Sequence, residues 1–162
     1  MVQMQHERMS ENMPDTGDPG ELIAVFRGQT GGYGIRMLMA DIREALQQQS
    51  NISEDLLGNV ELIVSEVLNN IEEHSYQSES GCPLRVAVSR IGENNIQVET
   101  QDFGEPMPGL RLPAKSLPNT DVAIEDLPEG GFGWFLIHTL APQTTYTRNG
   151  QRNILTFSLE DG

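Results

Sequence analysis

The sequence has one cysteine, few basic side chains and no long apolar run, and these shortages exclude several classes of protein. Its 162 residues contain 10 lysines and arginines against 24 aspartates and glutamates, a formal net charge of −14. Nucleic acid and anionic membranes attract positive surfaces, so we predict neither as a partner. A lone Cys82 excludes an internal disulfide and a cysteine-based zinc cluster, which favours a reducing, cytoplasmic location. No stretch approaches the roughly 20 apolar residues of a membrane span.

The length of the chain and the positions of its prolines and glycines predict a single domain that follows a short tail. Residues 1–20 are polar, rich in methionine and interrupted by prolines and glycines, which is typical of a flexible N-terminal tail. Residues 21–162 are long enough to bury a core of their own. The segment 104–131 is rich in proline and glycine, and we interpret it as a lid because glycines stand at both of its ends.

Hydrophobic periodicity predicts the order β-α-α-β-β-lid-α-β-β. We place the strands at 21–27, 84–91, 96–101, 144–148 and 152–159, and the helices at 35–49, 54–76 and 133–140. The first strand is predicted to lie at an edge, and Asn149-Gly150 is the strongest hairpin signal. This order indicates an α+β fold, a two-layer sandwich in which helices cover one face of a mixed, mostly antiparallel sheet.

The second predicted helix carries an unusual row of polar residues beside its apolar face. At helical spacing Glu66, Asn70 and His74 follow one another at the margin of the buried stripe. A partly buried carboxylate or amide costs free energy unless it is paired. Each of the three is therefore either a solvated edge residue, a group paired in the core, or a group that faces a ligand pocket.

Two glycine-bearing loops follow this helix, DFGEPMPG at 102–109 and EGGFGWFLI at 129–137. Each loop alone is a weak motif that occurs by chance in many proteins. The order and spacing of the helix and the two loops together make a strong one. The chain has no GxxxxGK[ST] motif and no glycine-rich dinucleotide fingerprint, which excludes the commoner nucleotide-binding folds.

The pattern ExxxNxxxHxY, here Glu66, Asn70, His74 and Tyr76, resembles the ATP-site helix of the superfamily of gyrase, chaperone, histidine-kinase and mismatch-repair ATPases. Within it, the chain is most similar to the bacterial anti-sigma-factor serine kinases. The first loop is similar to their adenine-binding loop, and the second resembles the end of their ATP lid. The final hairpin, YTRNGQRNILTF, is also similar, so the resemblance covers roughly 21–159.

The resemblance implies a histidine-kinase-like ATPase fold and a role for each matching residue. Asn70 would bind Mg²⁺ on the triphosphate, Glu66 would act as general base or hold the nucleophile, and Asp102 would accept a hydrogen bond from adenine. Gly104 would let the backbone approach the base. The other implied ATP-binding residues are His74, Pro106, Gly130, Gly131, Gly133 and Trp134. Trp134 is bulkier than the family's usual aliphatic residue, and Met107 replaces a common aromatic.

The function that the resemblance implies is a Mg-ATP-dependent serine protein kinase and anti-sigma factor. It would phosphorylate a small antagonist protein in a partner-switching system, bind a sigma factor, and form a homodimer through the sheet edge. One alternative is an ATP-binding switch module that regulates by protein binding without significant phosphotransfer. The catalytic half of a histidine kinase is less favoured, since the chain lacks a helical hairpin bearing a phosphoacceptor histidine.

Overall fold

The computed structural model describes residues 20–114 and 131–162, which form one sheet and three α-helices. All but the last residue of the predicted tail, and most of the predicted lid, lie outside these ranges. In chain order the elements are β1 Glu21–Gln29, α1 Gly32–Gln47, α2 Glu54–Asn70, β2 Pro83–Ile91, β3 Asn95–Asp102, α3 Gly131–Leu140, β4 Thr145–Asn149 and β5 Arg152–Glu160. A π-helical turn, Ile71–Ser75, extends α2, and a 3-10 turn, Pro108–Leu110, follows β3. The predicted order of elements is confirmed.

The five strands form a sheet in the order β1-β2-β3-β5-β4, with β1 at one edge as predicted. Every strand pair is antiparallel, where the prediction allowed a mixed sheet. The hairpin between β4 and β5 turns at Asn149-Gly150, and Gly150 takes a φ of 61° that favours glycine. In the register between β3 and β5, Asp102 lies opposite Asn153.

The core lies between one face of the sheet and helices α1 and α2. Alternate residues of β3 and β5 point inward and are buried, and both helices direct an apolar stripe at them. Fully buried examples are Ile42 on α1, Val60 and Val64 on α2, and Val98 on β3. The two-layer α+β sandwich is therefore confirmed. None of the described helices is long and apolar enough to cross a membrane.

Helix α2 begins at a side-chain cap and continues at its other end into a π-helical turn. Ser53 caps its start, since its Oγ accepts a hydrogen bond of 3.0 Å from the Leu56 N–H. Its α-helical geometry ends at Asn70, six residues before the predicted end, and the next turn is π-helical. Because a π turn contains more residues than an α turn, the predicted row of Glu66, Asn70 and His74 does not continue unchanged to His74.

Candidate functional site

A cavity of about 420 Å³ lies where the end of α2, the start of α3, the end of β3 and the following loop meet. Five of the predicted site residues line it: Asn70, His74, Asp102, Pro106 and Trp134. The other walls are mostly apolar, among them Val67, Ile71, Met107 and Leu155. An apolar cavity of this size with few polar groups is the usual form of a small-molecule site. The His74 side chain is 68% exposed, so it borders the cavity without being enclosed by it.

Asp102 is a buried carboxylate at the end of β3, with 3% of its surface exposed. Its Oδ1 accepts three hydrogen bonds, from the Gly104 N–H at 3.0 Å, from Asn153 Nδ2 at 2.8 Å, and from Ser75 Oγ. No donor in the described part of the chain lies on Oδ2. Asp102 therefore has one oxygen held by the protein and one free to accept a hydrogen bond from a ligand in the cavity.

The loop after β3 is bound tightly to the π turn. The Glu105 N–H donates to the Ser75 carbonyl at 2.8 Å. A Cβ on Gly104 would lie under 3.0 Å from the carbonyl oxygen and Oγ of Ser75. Gly104 is thus required by the close approach of Ser75. The predicted approach of its backbone to the base stays a prediction.

Asn153, on β5, joins this loop to the sheet, and the sequence analysis missed it. Its Nδ2 also lies 2.9 Å from the Glu105 carbonyl, and its Oδ1 accepts from Tyr146 OH at 2.6 Å and from Arg148 Nη1 at 2.9 Å. The sequence contained a signal, because Asn153 occupies an inward position of the alternating β5 pattern otherwise filled by apolar residues.

The Tyr76 hydroxyl links the first residue of the loop after β3 to the start of β2. Its hydroxyl donates to the Pro83 carbonyl at 2.7 Å and accepts from the Phe103 N–H at 2.8 Å. Burial is the largest cause of a raised pKa for this phenol, and the negative charge of Asp102 raises it further, against the opposing effect of the Phe103 hydrogen bond. Tyr76 is therefore a neutral residue whose hydroxyl holds the loop after β3 against the start of β2.

Asn70 and Glu66 face the start of α3. The Asn70 Nδ2 is buried and has no hydrogen-bond partner among the described residues. The Glu66 Oε2 lies 2.6 Å from the position that a Cβ on Gly133 would occupy, and Asn70 Nδ2 lies 3.7 Å from it. The structure thus brings Glu66, Asn70 and Gly133 together, and it leaves an unpaired amide beside the cavity. An unpaired buried amide is costly without a ligand, so this arrangement fits a bound polar group.

The remaining predicted residues lie on or beside α3. Gly131 is the first residue of that helix, whereas Gly130 lies outside the described residues. The Trp134 ring lines the cavity and lies 5.8 Å from the His138 ring, centroid to centroid. His138 Nε2 forms a 2.7 Å hydrogen bond with the Pro113 carbonyl, as expected for a satisfied packing residue.

Within residues 20–114 and 131–162, no three histidine, cysteine, aspartate or glutamate side chains are placed to hold a metal ion. A cation at Asn70 would therefore take most of its ligands from phosphate oxygens and water. Mg²⁺ is commonly bound this way, through one or two protein ligands plus substrate phosphates.

The sandwich and its cavity define an α+β domain in which a buried aspartate and an asparagine with an unpaired amide nitrogen line the same cavity. The chain matches the family described as "Histidine kinase-like ATPase domain" over residues 34–159. It belongs to that family, and the resemblance and fold inferred from the sequence are confirmed at this level.

Two curated relatives, both named serine-protein kinase RsbW, come from Bacillus cereus (strain AH820) and Bacillus anthracis. Each is 29% identical over 108 residues, a match that covers 65% of this chain and 63% of the relative's length. The solved SiaB-SiaC complex from Pseudomonas aeruginosa contains a chain with a TM-score of 0.56 at 17% identity, covering 86% of this chain and 91% of that one. At that identity the likeness establishes the fold.

Proposed function

We propose that this protein is a Mg-ATP-dependent serine protein kinase of the anti-sigma-factor type, acting in the cytoplasm on a small antagonist protein. The observation that carries the proposal is the shared cavity, which is lined by Asp102, with one oxygen free, and by Asn70, whose amide nitrogen has no partner among the described residues. Glu66 lies next to Asn70 at the start of α3. These are the three kinds of group that base recognition, cation binding and proton removal need.

The base would bind at Asp102. A purine bearing a 6-amino group donates a hydrogen bond to the free Oδ2, while apolar walls such as Ile71, Met107 and Leu155 contact the ring faces. Three hydrogen bonds on Oδ1 hold the carboxylate in place. The polar group therefore selects the base, and the apolar walls supply much of the binding free energy.

The phosphates would lie toward Asn70 and the first turn of α3. Asn70 lines the cavity, and its amide oxygen is the acceptor that would face the cation. The N–H groups of the first turn of α3, where Gly131 and Gly133 lie, would face the phosphates, because the first N–H groups of a helix have no partner within the helix. Bound Mg-ATP would supply the transferable phosphoryl group, and its Mg²⁺ would offset part of the triphosphate charge in this acidic protein.

Glu66 would accept the proton of the attacking serine hydroxyl on one of its carboxylate oxygens. It is half-buried, one α-helical turn before Asn70, and its Oε2 lies beside Gly133 at the start of α3, where the phosphates would bind. A carboxylate positioned this way orients the hydroxyl and removes its proton, and positioning is the larger share of phosphoryl-transfer catalysis.

The protein substrate is proposed from the relatives. Two of them are named serine-protein kinases, and a chain of the same fold occurs in a two-protein complex, SiaB-SiaC. Our proposal extends to a small antagonist with a phosphorylatable serine, to a sigma factor bound when that antagonist is phosphorylated, and to a homodimer.

The test is a transfer assay with Mg²⁺, γ-labelled ATP and the small proteins encoded beside this gene. We expect label on a serine of one of them, and loss of at least about 100-fold in rate for Glu66→Gln. Glu54→Gln, an exposed glutamate at the opposite end of α2, is the matched control and should retain the wild-type rate. ATP binding without transfer to any candidate would support the switch module in place of the kinase. The absence of ATP binding would reject both.

A further inference from the structure

The side chain of Asn153 is the centre of the hydrogen-bond network behind the cavity. It lies on β5 directly opposite Asp102 on β3, and the two are 5% and 3% exposed. Its amide contacts both the Asp102 carboxylate and the loop that lines the cavity. Burying two polar side chains on adjacent strands costs free energy unless they form hydrogen bonds. Here both the nitrogen and the oxygen of the Asn153 amide do so.

The neighbours of Asn153 determine which way its amide faces. Tyr146 OH accepts a hydrogen bond from the Met107 N–H at 3.0 Å, so its own proton is directed to Asn153 Oδ1 at 2.6 Å. Arg148 Nη1, which can only donate, also lies on Oδ1 at 2.9 Å. With Oδ1 fixed by two donors, Nδ2 must face Asp102, where it donates to Oδ1 of that carboxylate at 2.8 Å.

We infer that Asn153 is a positioning residue. It occupies Oδ1 of Asp102, so that only Oδ2 can accept a hydrogen bond from a ligand, and it thereby sets the preference for 6-amino over 6-oxo purine nucleotides. The inference rests on the proposed function, because it concerns the base of the nucleotide in the same cavity. With Oδ1 occupied, Asp102 presents only Oδ2, which accepts from the amino group of adenine. A 6-oxo purine would place a second acceptor against that oxygen, and neither atom carries a proton to share.

Asn153→Asp keeps almost the same side-chain shape but replaces the amide donor that faces Asp102 with a carboxyl group. Two carboxyl groups at the distance of the present hydrogen bond would share one proton, because both cannot remain ionised so close together. Arg148 Nη1, on the other oxygen of residue 153, would keep that new carboxylate ionised, so the proton would reside on Asp102, whose Oδ2 could then donate it to a 6-oxo group in the cavity. Selectivity should fall, and binding of the 6-oxo nucleotide should improve.

The assay uses Trp134, the sole tryptophan of the chain, which lines the cavity and whose fluorescence should respond to a bound nucleotide. The two probes are Mg-ATP and Mg-ITP, which differ at the 6-position of the base. We expect the wild-type protein to bind ATP at least about 100-fold more tightly than ITP, and Asn153→Asp to bind it no more than about 10-fold more tightly. Thr100→Val is the matched control, because Thr100 is an inward polar residue of β3 whose hydroxyl donates to the Leu155 carbonyl, and it should keep the wild-type ratio.

Asn153→Ala is the second variant, in case the aspartate does not fold. It removes the donor without adding a charge, and the ratio should fall at least threefold because Asp102 is freer to turn. A folded Asn153 variant that keeps the wild-type ratio would overturn the inference, and so would a wild-type protein that binds ATP and ITP equally. Failure of the wild-type protein to bind either nucleotide would instead reject the proposed function.

Discussion

Gly133→Ala should lower the rate of phosphotransfer without destabilising the fold. The new Cβ would lie 2.6 Å from Glu66 Oε2, about 0.8 Å closer than the 3.4 Å at which ordinary contact begins. The atom it meets is the far end of a flexible side chain, so Glu66 moves and the backbone need not. Asn70 Nδ2 lies 3.7 Å from the same point, an ordinary contact, so the proposed cation ligand stays in place.

These distances give the expected magnitudes. A displacement of about 1 Å in a catalytic group can lower the rate about 100-fold, so we expect phosphotransfer to fall by that order. The ATP dissociation constant should change less than about fivefold, because Asp102 and Asn70 are unaffected. The free energy of unfolding should stay the same or rise by up to about 1 kcal/mol, since alanine is favoured over glycine inside a helix.

The measurements are transfer of label from γ-labelled ATP, nucleotide binding by Trp134 fluorescence, and urea denaturation. Gly58→Ala on α2 is the control, because a Cβ there meets nothing within 4 Å. It should give the same gain in stability without loss of transfer. If Gly133→Ala transfers phosphate at the wild-type rate, Glu66 does not act from the position the structure gives it.

Three further variants test the surroundings of the site. Gly104→Ala should lower the free energy of unfolding by about 3 kcal/mol, because its Cβ meets the Ser75 backbone, and a loss below about 0.5 kcal/mol in urea denaturation would contradict this. Tyr76→Phe should cost about 1–2 kcal/mol near pH 8. The folded-state pKa of this phenol is raised, so its contribution is complete below about pH 10 and is lost as pH rises through the folded-state value. The difference from wild type should therefore shrink in alkaline denaturation curves, and a constant difference would refute the argument. Ser53→Ala should cost about 1 kcal/mol through the lost cap of α2 and its 2.5 Å hydrogen bond to Asp161 Oδ1, and an unchanged thermal midpoint would show that the cap contributes little.

Most of the fold could be predicted from the sequence because its elements carry clear periodicities. The apolar residues of α1 recur at helical spacing, and Ile35, Leu38, Ile42 and Leu46 are all buried in the structure. The strands alternate, and the Asn149-Gly150 turn fixes the register of the last hairpin. The π turn could not be predicted, since it depends on how the end of α2 packs against the loop after β3 and not on residue spacing.

The candidate site was only partly predictable, for a related reason. Residues within a motif, such as Asn70 and Asp102, could be identified because motifs are local in sequence. Asn153 and Ser75 reach Asp102 from 51 and 27 residues away, and only strand pairing and the π turn bring them together. The inward polar position of Asn153 was a readable signal, but its partner required the register between β3 and β5.

The central claim is that the cavity beside Asp102 binds ATP, and one titration tests it most directly. Mg-ATP would be added to the wild-type protein and to Asp102→Asn while the fluorescence of Trp134 is recorded. The substitution keeps the shape of the side chain but allows a donor to face the adenine amino group. We expect saturable binding to the wild-type protein and an affinity at least about 100-fold weaker for Asp102→Asn. Equal affinities, or no saturable binding to the wild-type protein, would contradict the account.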